Sequence, residues 1–288
     1  KRKHRDFMTK DGMHDYGILV TGGGTGIGKA CAANLAQSGA SVTICGRTEE
    51  NLVKAVDGII SETSSKTRIQ YKICDVTNEN QVRDVVEEAA EFGNGLDGVV
   101  ANAGGGGGMA PYHLQDLDEF TRVLHLNVLG TMLCVKHSVP FLKESDKGSF
   151  VGMSSIASHL THLWFGAYPA AKAGIEAIMR NAADEFGPAN IRFNAIRPGF
   201  IATEIMEAIP KNSEVYESYI TNTPLGDVGE PKDVAALARF LISSESRWIT
   251  GQCINVDGGH SLRRGPQFTQ FLANFSHDQL YGELPTDD

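Results

Sequence analysis

The sequence predicts an α/β protein: a single doubly wound domain of about seven parallel strands with helices on both faces. Two observations predict it. Apolar runs of five to eight residues alternate with longer helical segments along 16–259, and near-continuous runs of that length belong to strands buried on both sides. The first run also ends in a glycine-rich turn, TGGGTGIG over 21–28, that opens the first helical segment. No linker-like stretch or internal repeat divides 16–259, and the glycines 104–108 are its one low-complexity segment.

Taken in order, YGILV (16–20) is a strand, and the helical segment 28–39 stops at Gly39, a residue free to leave a helix left-handed. SVTIC (41–45) is the second strand, followed by a charged helix over 49–61. RIQYKIC (68–74), a helix near 79–91 and LDGVVAN (96–102) continue the alternation. A long helical region spans about 115–143, and GSFVGMSS (148–155) is the fifth strand. A helix over about 168–186 leads to IRFNAI (191–196), and a last helix near 231–243 to QCINVDG (252–258). Residues 1–15 read as an N-terminal extension and 260–288 as a C-terminal tail whose Phe268, Phe271, Leu272, Phe275 and Tyr281 either dock on a pocket or subunit surface or stay disordered.

Composition removes several function classes. With 288 residues, 41% hydrophobic and 21% charged, the chain is that of an ordinary globular protein. A net charge of −9 argues against a binder of nucleic-acid phosphates, the basic run 1–5 notwithstanding. No apolar stretch approaches the ~18 residues of a membrane span. Five scattered cysteines, odd in number and never in CxxC spacing, read as buried free thiols of a cytoplasmic protein.

Chemistry is concentrated at two places. In the glycine-rich turn, Gly22, Gly26 and Gly28 allow backbone N–H groups to approach a pyrophosphate at the positive end of the helix. The second strand ends in Gly46 and Arg47, where an acidic residue would accept from the 2′-hydroxyl of NAD; a guanidinium pairs instead with a 2′-phosphate. NADP is therefore the expected cofactor and NAD the alternative, Arg47 having the other reading of a surface residue. Thr25 stands where a second basic residue would strengthen the case. Further on, Tyr168 and Lys172 share a helix face in YPAAK, placing a cation beside a phenol and cheapening the phenolate. That makes Tyr168 a candidate general acid or base.

TGGGTGIG, ANAG (101–104), the serine before the tyrosine and YPAAK together resemble the short-chain dehydrogenases/reductases, with matching segments from about Gly17 to Gly259. The resemblance implies a Rossmann-type fold and hydride transfer between nicotinamide and a hydroxyl or keto group. It implies that the turn, with Gly22, Gly24, Thr25, Gly26, Ile27 and Gly28, holds the pyrophosphate. Asp75 and Val76 would contact adenine, and Asn102, Ala103 and Gly104 would lie along the cofactor. Pro198, Gly199, Ile201 and Thr203 would flank the nicotinamide. Counting thirteen residues back from Tyr168 gives Ser155 as the family's carbonyl-binding serine, with Ser154 facing away. Tyr168 and Lys172 would bind the ribose as well as act, and Asn127 matches the helix-bending asparagine that helps relay protons.

By the same resemblance the substrate pocket contains Met109, Leu160, Trp164, Phe165, Phe200, Ile205 and Met206, an apolar set fitting a bulky carbonyl or alcohol, and 204–221 is a mobile substrate loop. His159 and His162 lack a third partner for a metal and read as pocket wall or surface. Asp227 departs from an arginine common before VGEP. A 3-oxoacyl-thioester reductase and a hydroxysteroid-type dehydrogenase both remain open, with a cofactor-sensing module as the other class. Apolar helices near 127–142 and 168–186 imply a homo-oligomer, a tetramer by resemblance.

Overall fold

The computed structural model describes residues 12–63, 67–204, 206, 209–265 and 268–282. Its seven strands are β1 Gly17–Thr21, β2 Ser41–Gly46, β3 Ile69–Ile73, β4 Gly98–Ala101, β5 Ser149–Met153, β6 Arg192–Pro198 and β7 Cys253–Val256. All pair in parallel in the order β3-β2-β1-β4-β5-β6-β7. The helices are α1 Gly26–Gln37, α2 Glu49–Glu62, α3 Glu79–Gly93, α4 Leu117–Leu124, α5 Gly130–Leu142, α6 Ala167–Glu185, α7 Glu214–Asn222, α8 Pro231–Ile242 and the short α9 His277–Leu280.

Both sheet faces are covered, which explains the unbroken apolar strands. Helices α1, α2 and α8 bury Leu35, Leu52, Ile59 and Leu241 against Ile18, Val20, Val42 and Ile44 on one face. Helices α3, α5 and α6 bury Val85, Leu133, Ile175 and Met179 against Leu19, Val99, Phe150 and Phe193 on the other. Gly152 sets the depth of α6: a Cβ there would meet Ile175 Cγ2 at 2.9 Å and Met179 at 3.0 Å. The helix carrying Tyr168 thus lies directly on the strand that delivers Ser155. Strand order reverses at β1, whose neighbours are β2 and β4, and the crevice at that end of the sheet is where open α/β sheets bind ligands.

Three departures from the sequence reading have local causes. The helical region 115–143 is two helices joined through a π-turn, His125–Leu129. There Asn127 Nδ2 donates to Val123 O at 2.9 Å and Thr131 Oγ1 to Asn127 O at 2.7 Å, side-chain bonds that compete with the α-helical ladder. The segment 204–221 holds all but the last residue of α7, which is capped by Ser213 and buries Val215 and Tyr219. Strand β4 is shorter than 96–102 because Asn102 N–H turns to Val100 O and Thr21 Oγ1. Ile205 lies outside the described residues, as do 1–11 of the N-terminal extension and 283–288 of the tail.

Candidate active site

The turn after β1 is tied to the end of β4. Thr21 Oγ1 accepts from Asn102 N and Ala103 N, both at 3.0 Å, while Asn102 Nδ2 donates to Thr21 O and Gly22 O at 3.2 Å. Gly22 has φ +64° and Gly26 φ +51°, a region side chains rarely adopt. Thr25 leads into α1 without capping it, no acidic side chain occupies the first helical turn, and the first N–H groups of α1 have no intrahelical partner. Across the turn, a Cβ on Gly26 would meet Thr203 Cγ2 at 3.3 Å and Glu204 Oε2 at 3.4 Å, so the segment after β6 closes over the helix N-terminus.

Beside this turn opens a cavity of about 170 Å³ lined by Gly22, Gly24, Thr25, Gly46, Arg47, Asp75, Val76, Ala103 and Gly104, among others. Arg47 is exposed at its mouth. Burial works against the Asp75 carboxylate, but hydrogen bonds from Thr77 and the Arg47 charge hold it below its ordinary range. Ile27 and Gly28 belong to the first turn of α1, with Gly28 packed on Gly22. Pro198 ends β6, Gly199 N–H bonds Val256 O at 2.9 Å, and Ile201 is buried against Gly229.

The ends of β5 and α6 bring the polar candidates together. Ser155 follows β5; its Oγ accepts from Ala157 N at 3.2 Å, and the serine stands close enough to the Tyr168 hydroxyl to lower the phenol's pKa. Tyr168 is half-buried, its hydroxyl end enclosed. Burial raises the phenol above its ordinary value, and only Ser155 pulls against that. Lys172 Nζ stands 5.5 Å from the centre of the Tyr168 ring and donates to Met153 O at 2.9 Å. Burial lowers its pKa to about 8. Within the chain itself burial is the largest influence on the Tyr168 phenol. Asn127 is fully buried in the π-turn and braces the glycine run, donating to Gly105 O at 2.9 Å and accepting from Gly105 N at 3.3 Å. A Cβ on Gly104 would meet both Asn127 Oδ1, at 2.5 Å, and Lys172 Nζ, at 3.3 Å, so these two groups flank one backbone position.

A glycine-rich turn tied to the strand beside it, with a serine, tyrosine, lysine and asparagine gathered at the same sheet edge, is the geometry against which likeness can be judged. The sequence model of a family described as enoyl-(acyl carrier protein) reductase matches residues 22–261. The structure of a short-chain type dehydrogenase/reductase from Mycobacterium ulcerans superposes with a TM-score of 0.92 at 42% identity, covering 95% of this chain and all of that one. This chain is a short-chain dehydrogenase/reductase. It is 34% identical to a tropinone reductase homolog of Arabidopsis thaliana, over 85% of this chain and 91% of that protein. It is equally identical to the cis-4-hydroxycyclohexanecarboxylate dehydrogenase of Sinomonas cyclohexanicum, over 84% and 95% respectively.

Short-chain dehydrogenases/reductases are NAD(P)-dependent oxidoreductases, and the residues present fit such a cofactor. Gly22 and Gly26 hold left-handed conformations in a turn too tightly packed for side chains, and the first N–H groups of α1, which have no intrahelical partner, make its N-terminus suited to a pyrophosphate. The wall of this dehydrogenase/reductase is aromatic. Phe165 lies 6.0 Å from the Tyr168 ring, and Phe268, from the tail, meets Phe165 edge-on at 4.6 Å. Phe200 stacks on Tyr219 at 4.1 Å, with Met109, Trp164 and Met206 packed around them. Trp164, at φ +72°, is held by Ala110 N–H on its carbonyl and donates from Nε1 to Thr269. Leu160 accepts from the His162 ring at 3.0 Å; His162 is buried, which lowers its pKa to about 4. Asp227 accepts from the N–H of Val228. Among the described residues no group of three or more His, Cys, Asp or Glu is placed to hold a metal.

The sequence reading missed three participants. Thr21 opens the glycine-rich motif, but the part of its hydroxyl in tying that turn to Asn102 and Ala103 was not read from it. Glu176 and Arg197 form a buried ion pair behind Ser155, with Arg197 Nε and Nη2 at 2.6 and 2.5 Å from the carboxylate. A partial signal existed: Tyr168, Lys172 and Glu176 repeat at i, i+4 and i+8 on one helix face.

Proposed function

We propose that the chain interconverts a hydroxyl and a keto group on a bulky, apolar, cyclic substrate, with NADP(H) as cofactor. The supporting observation is an aromatic wall beside the phenol, with Phe165 6.0 Å from the Tyr168 ring and met edge-on by Phe268, next to a serine that lowers the phenol's pKa. The name of the Sinomonas relative, which acts on a hydroxycyclohexane acid, favours a ring over a flexible thioester.

In reduction Tyr168 gives its proton to the substrate oxygen; in oxidation it takes that proton. Ser155 directs its O–H to the same oxygen, where charge accumulates. Lys172 and Tyr168 would hold the ribose, the 21–28 turn the pyrophosphate, Asp75 and Val76 the adenine, and Arg47 the 2′-phosphate. Asn102–Gly104 and Pro198–Thr203 would line the remaining length. Bound NADP(H) supplies or accepts the hydride. Asn127, beside Lys172, would lead protons in from solvent.

Tail residues 268–282 are part of the pocket in this reading, Phe268 being its lid-side wall. We also read the chain as a homo-oligomer, a tetramer on family grounds; Leu225, Trp248 and Leu262, 77–82% exposed near β7, are an apolar surface of the kind subunits cover. No helix among the described residues is long and apolar enough to cross a membrane, and the free cysteines agree with a cytoplasmic setting.

The test is a panel of cyclic and acyclic ketones and alcohols, followed by NADPH absorbance, with wild type and Tyr168→Phe. Turnover of a cyclic compound that falls at least a thousandfold in the variant, with NADPH still bound, is expected; general acid–base groups contribute about 10²–10⁴. Near-wild-type turnover by Tyr168→Phe sinks the assignment.

A further inference from the structure

Behind the serine and the tyrosine lies a polar cluster that touches neither cofactor cradle nor aromatic wall. Its centre is Glu176, buried on α6 two turns beyond Tyr168 and one beyond Lys172. Oε1 accepts from Ser154 Oγ at 2.8 Å, from Ser158 Oγ and from Arg197 Nε at 2.6 Å. Oε2 accepts from Arg197 Nη2 at 2.5 Å, with Arg180 Nη1 at 3.6 Å. Ser154 and Ser158 bracket Ser155 on both sides. The single Ser154 proton is shared between Glu176 and Lys172 O, 3.1 Å away, and the single Ser158 proton between Glu176 and the Ser155 carbonyl, 2.7 Å away. One carboxylate thus grips both flanks of the serine from the helix that carries the tyrosine, and Arg197 anchors it to β6.

We propose that Glu176 is a positioning residue for hydride-transfer chemistry: through Ser154 and Ser158 it fixes Ser155 against Tyr168. The inference rests on the roles given above to Ser155 and Tyr168. The geometry has a reason to be this elaborate. A hydrogen bond between two hydroxyls on different elements weakens steeply as angle and distance drift, and Ser155 sits at a strand end, where the ladder no longer holds it. The carboxylate supplies the missing restraint. It is buried and engaged by both serines and Arg197, away from the substrate side. Arg197 holds it ionised against the cost of burial, which leaves it near pKa 2, and an acceptor that cannot gain a proton keeps both serines oriented at every working pH.

The test compares Glu176→Gln, Ser158→Ala and Ser155→Ala with wild type in steady-state kinetics on the substrate the panel identifies. NADPH binding is measured alongside by fluorescence. Glu176→Gln keeps the volume and removes the charge; Ser158→Ala breaks one tether without stranding a buried ion. Positioning predicts that kcat falls about tenfold in Glu176→Gln and about threefold in Ser158→Ala, corresponding to loosened alignment, with NADPH affinity unchanged. It also predicts that the pH–rate limb reporting Tyr168 moves upward in both, because a looser Ser155 bond stabilises the phenolate less. A purely structural role would lower active protein and leave that limb in place. Wild-type kcat and an unshifted limb in both variants, with Ser155→Ala impaired, overturn the positioning role alone. Wild-type turnover by Ser155→Ala overturns it together with the reading on which it rests. If Glu176→Gln fails to fold, the limb of Ser158→Ala decides.

Discussion

Replacing Lys172 by methionine should make the protein more stable while destroying its activity. Lys172 is 5% exposed, and its pKa falls from 10.5 to about 8 because burial disfavours the ammonium. That drop corresponds to about 3 kcal/mol of folding free energy carried as a penalty at pH 7. Methionine fills a similar volume and loses the bond to Met153 O, worth about 1 kcal/mol. The net gain is about 2 kcal/mol, or roughly 5 °C in melting temperature for a domain of this size. The sign with pH is distinctive. Below about pH 8 the amine is charged in both states and the fold bears the whole penalty. Between 8 and 10.5 the unfolded chain keeps a proton that the folded chain has released, so wild-type stability rises relative to the variant. Urea unfolding of both proteins at pH 7 to 10.5 reads this directly. The advantage of Lys172→Met should be largest at pH 7 and turn into a deficit of about 1 kcal/mol at the alkaline end, where the penalty of about 3 kcal/mol is gone and only the lost bond remains. A variant less stable than wild type at pH 7, or an advantage that stays flat with pH, would refute the reasoning.

Arg47→Ala should raise the KM for NADPH at least tenfold and leave NADH unaffected, since a lost charge-assisted bond is worth about 1.5–3 kcal/mol; equal effects on both cofactors would return Arg47 to the surface. Phe268→Ala empties a buried aromatic site against Phe165 and Tyr219 and should cost about 3 kcal/mol in thermal unfolding. The same variant should accept bulkier cyclic substrates in the ketone panel. In acid, burial opposes the Glu176 carboxylate but Arg197 and the two serines hold its pKa to about 2 against an ordinary 4.5. Its stabilisation, about 3 kcal/mol, is complete above pH 4.5 and disappears as pH falls toward 2. Glu176→Gln should therefore flatten the acid limb of stability measured by denaturant unfolding.

The sheet was legible because its signals are redundant. The central strands β1, β4 and β5 are apolar, fully buried runs, and seven strand-like runs alternating with helices leave few other architectures. Composition did not show the π-turn, since 115–143 reads as helical; only the resemblance pointed to a bend at Asn127, which with Thr131 divides the region through side-chain bonds to the backbone. Helix α7 was hidden for the opposite reason. Glu214–Asn222 has little intrinsic helix signal, and its packing of Val215 and Tyr219 against Phe200 and Phe268 comes from segments distant in sequence. Tail residue Phe268 shows the same limit, since sequence supplied an aromatic residue but not the ring it would meet.

The site teaches something about reading charges from spacing. Four residues along a helix bring an ammonium near a phenol, and the inference that the phenol becomes acidic assumes the cation is aimed at it. Lys172 has a long stem, and its tip goes to the carbonyl of Met153 instead. The phenol is left with burial, which raises it, and one neutral hydroxyl, which lowers it. A hydrogen bond acts only through contact, so the acidity of Tyr168 within the chain depends on how firmly Ser155 is held. That places unusual weight on the residues around the serine. Glu176 follows Lys172 by one further turn, and its carboxylate holds Ser154 and Ser158 on either side of Ser155. The helix face from which the sequence offered one electrostatic pair therefore carries two devices, a buried amine held on Met153 O and a buried carboxylate that holds the two serines flanking Ser155.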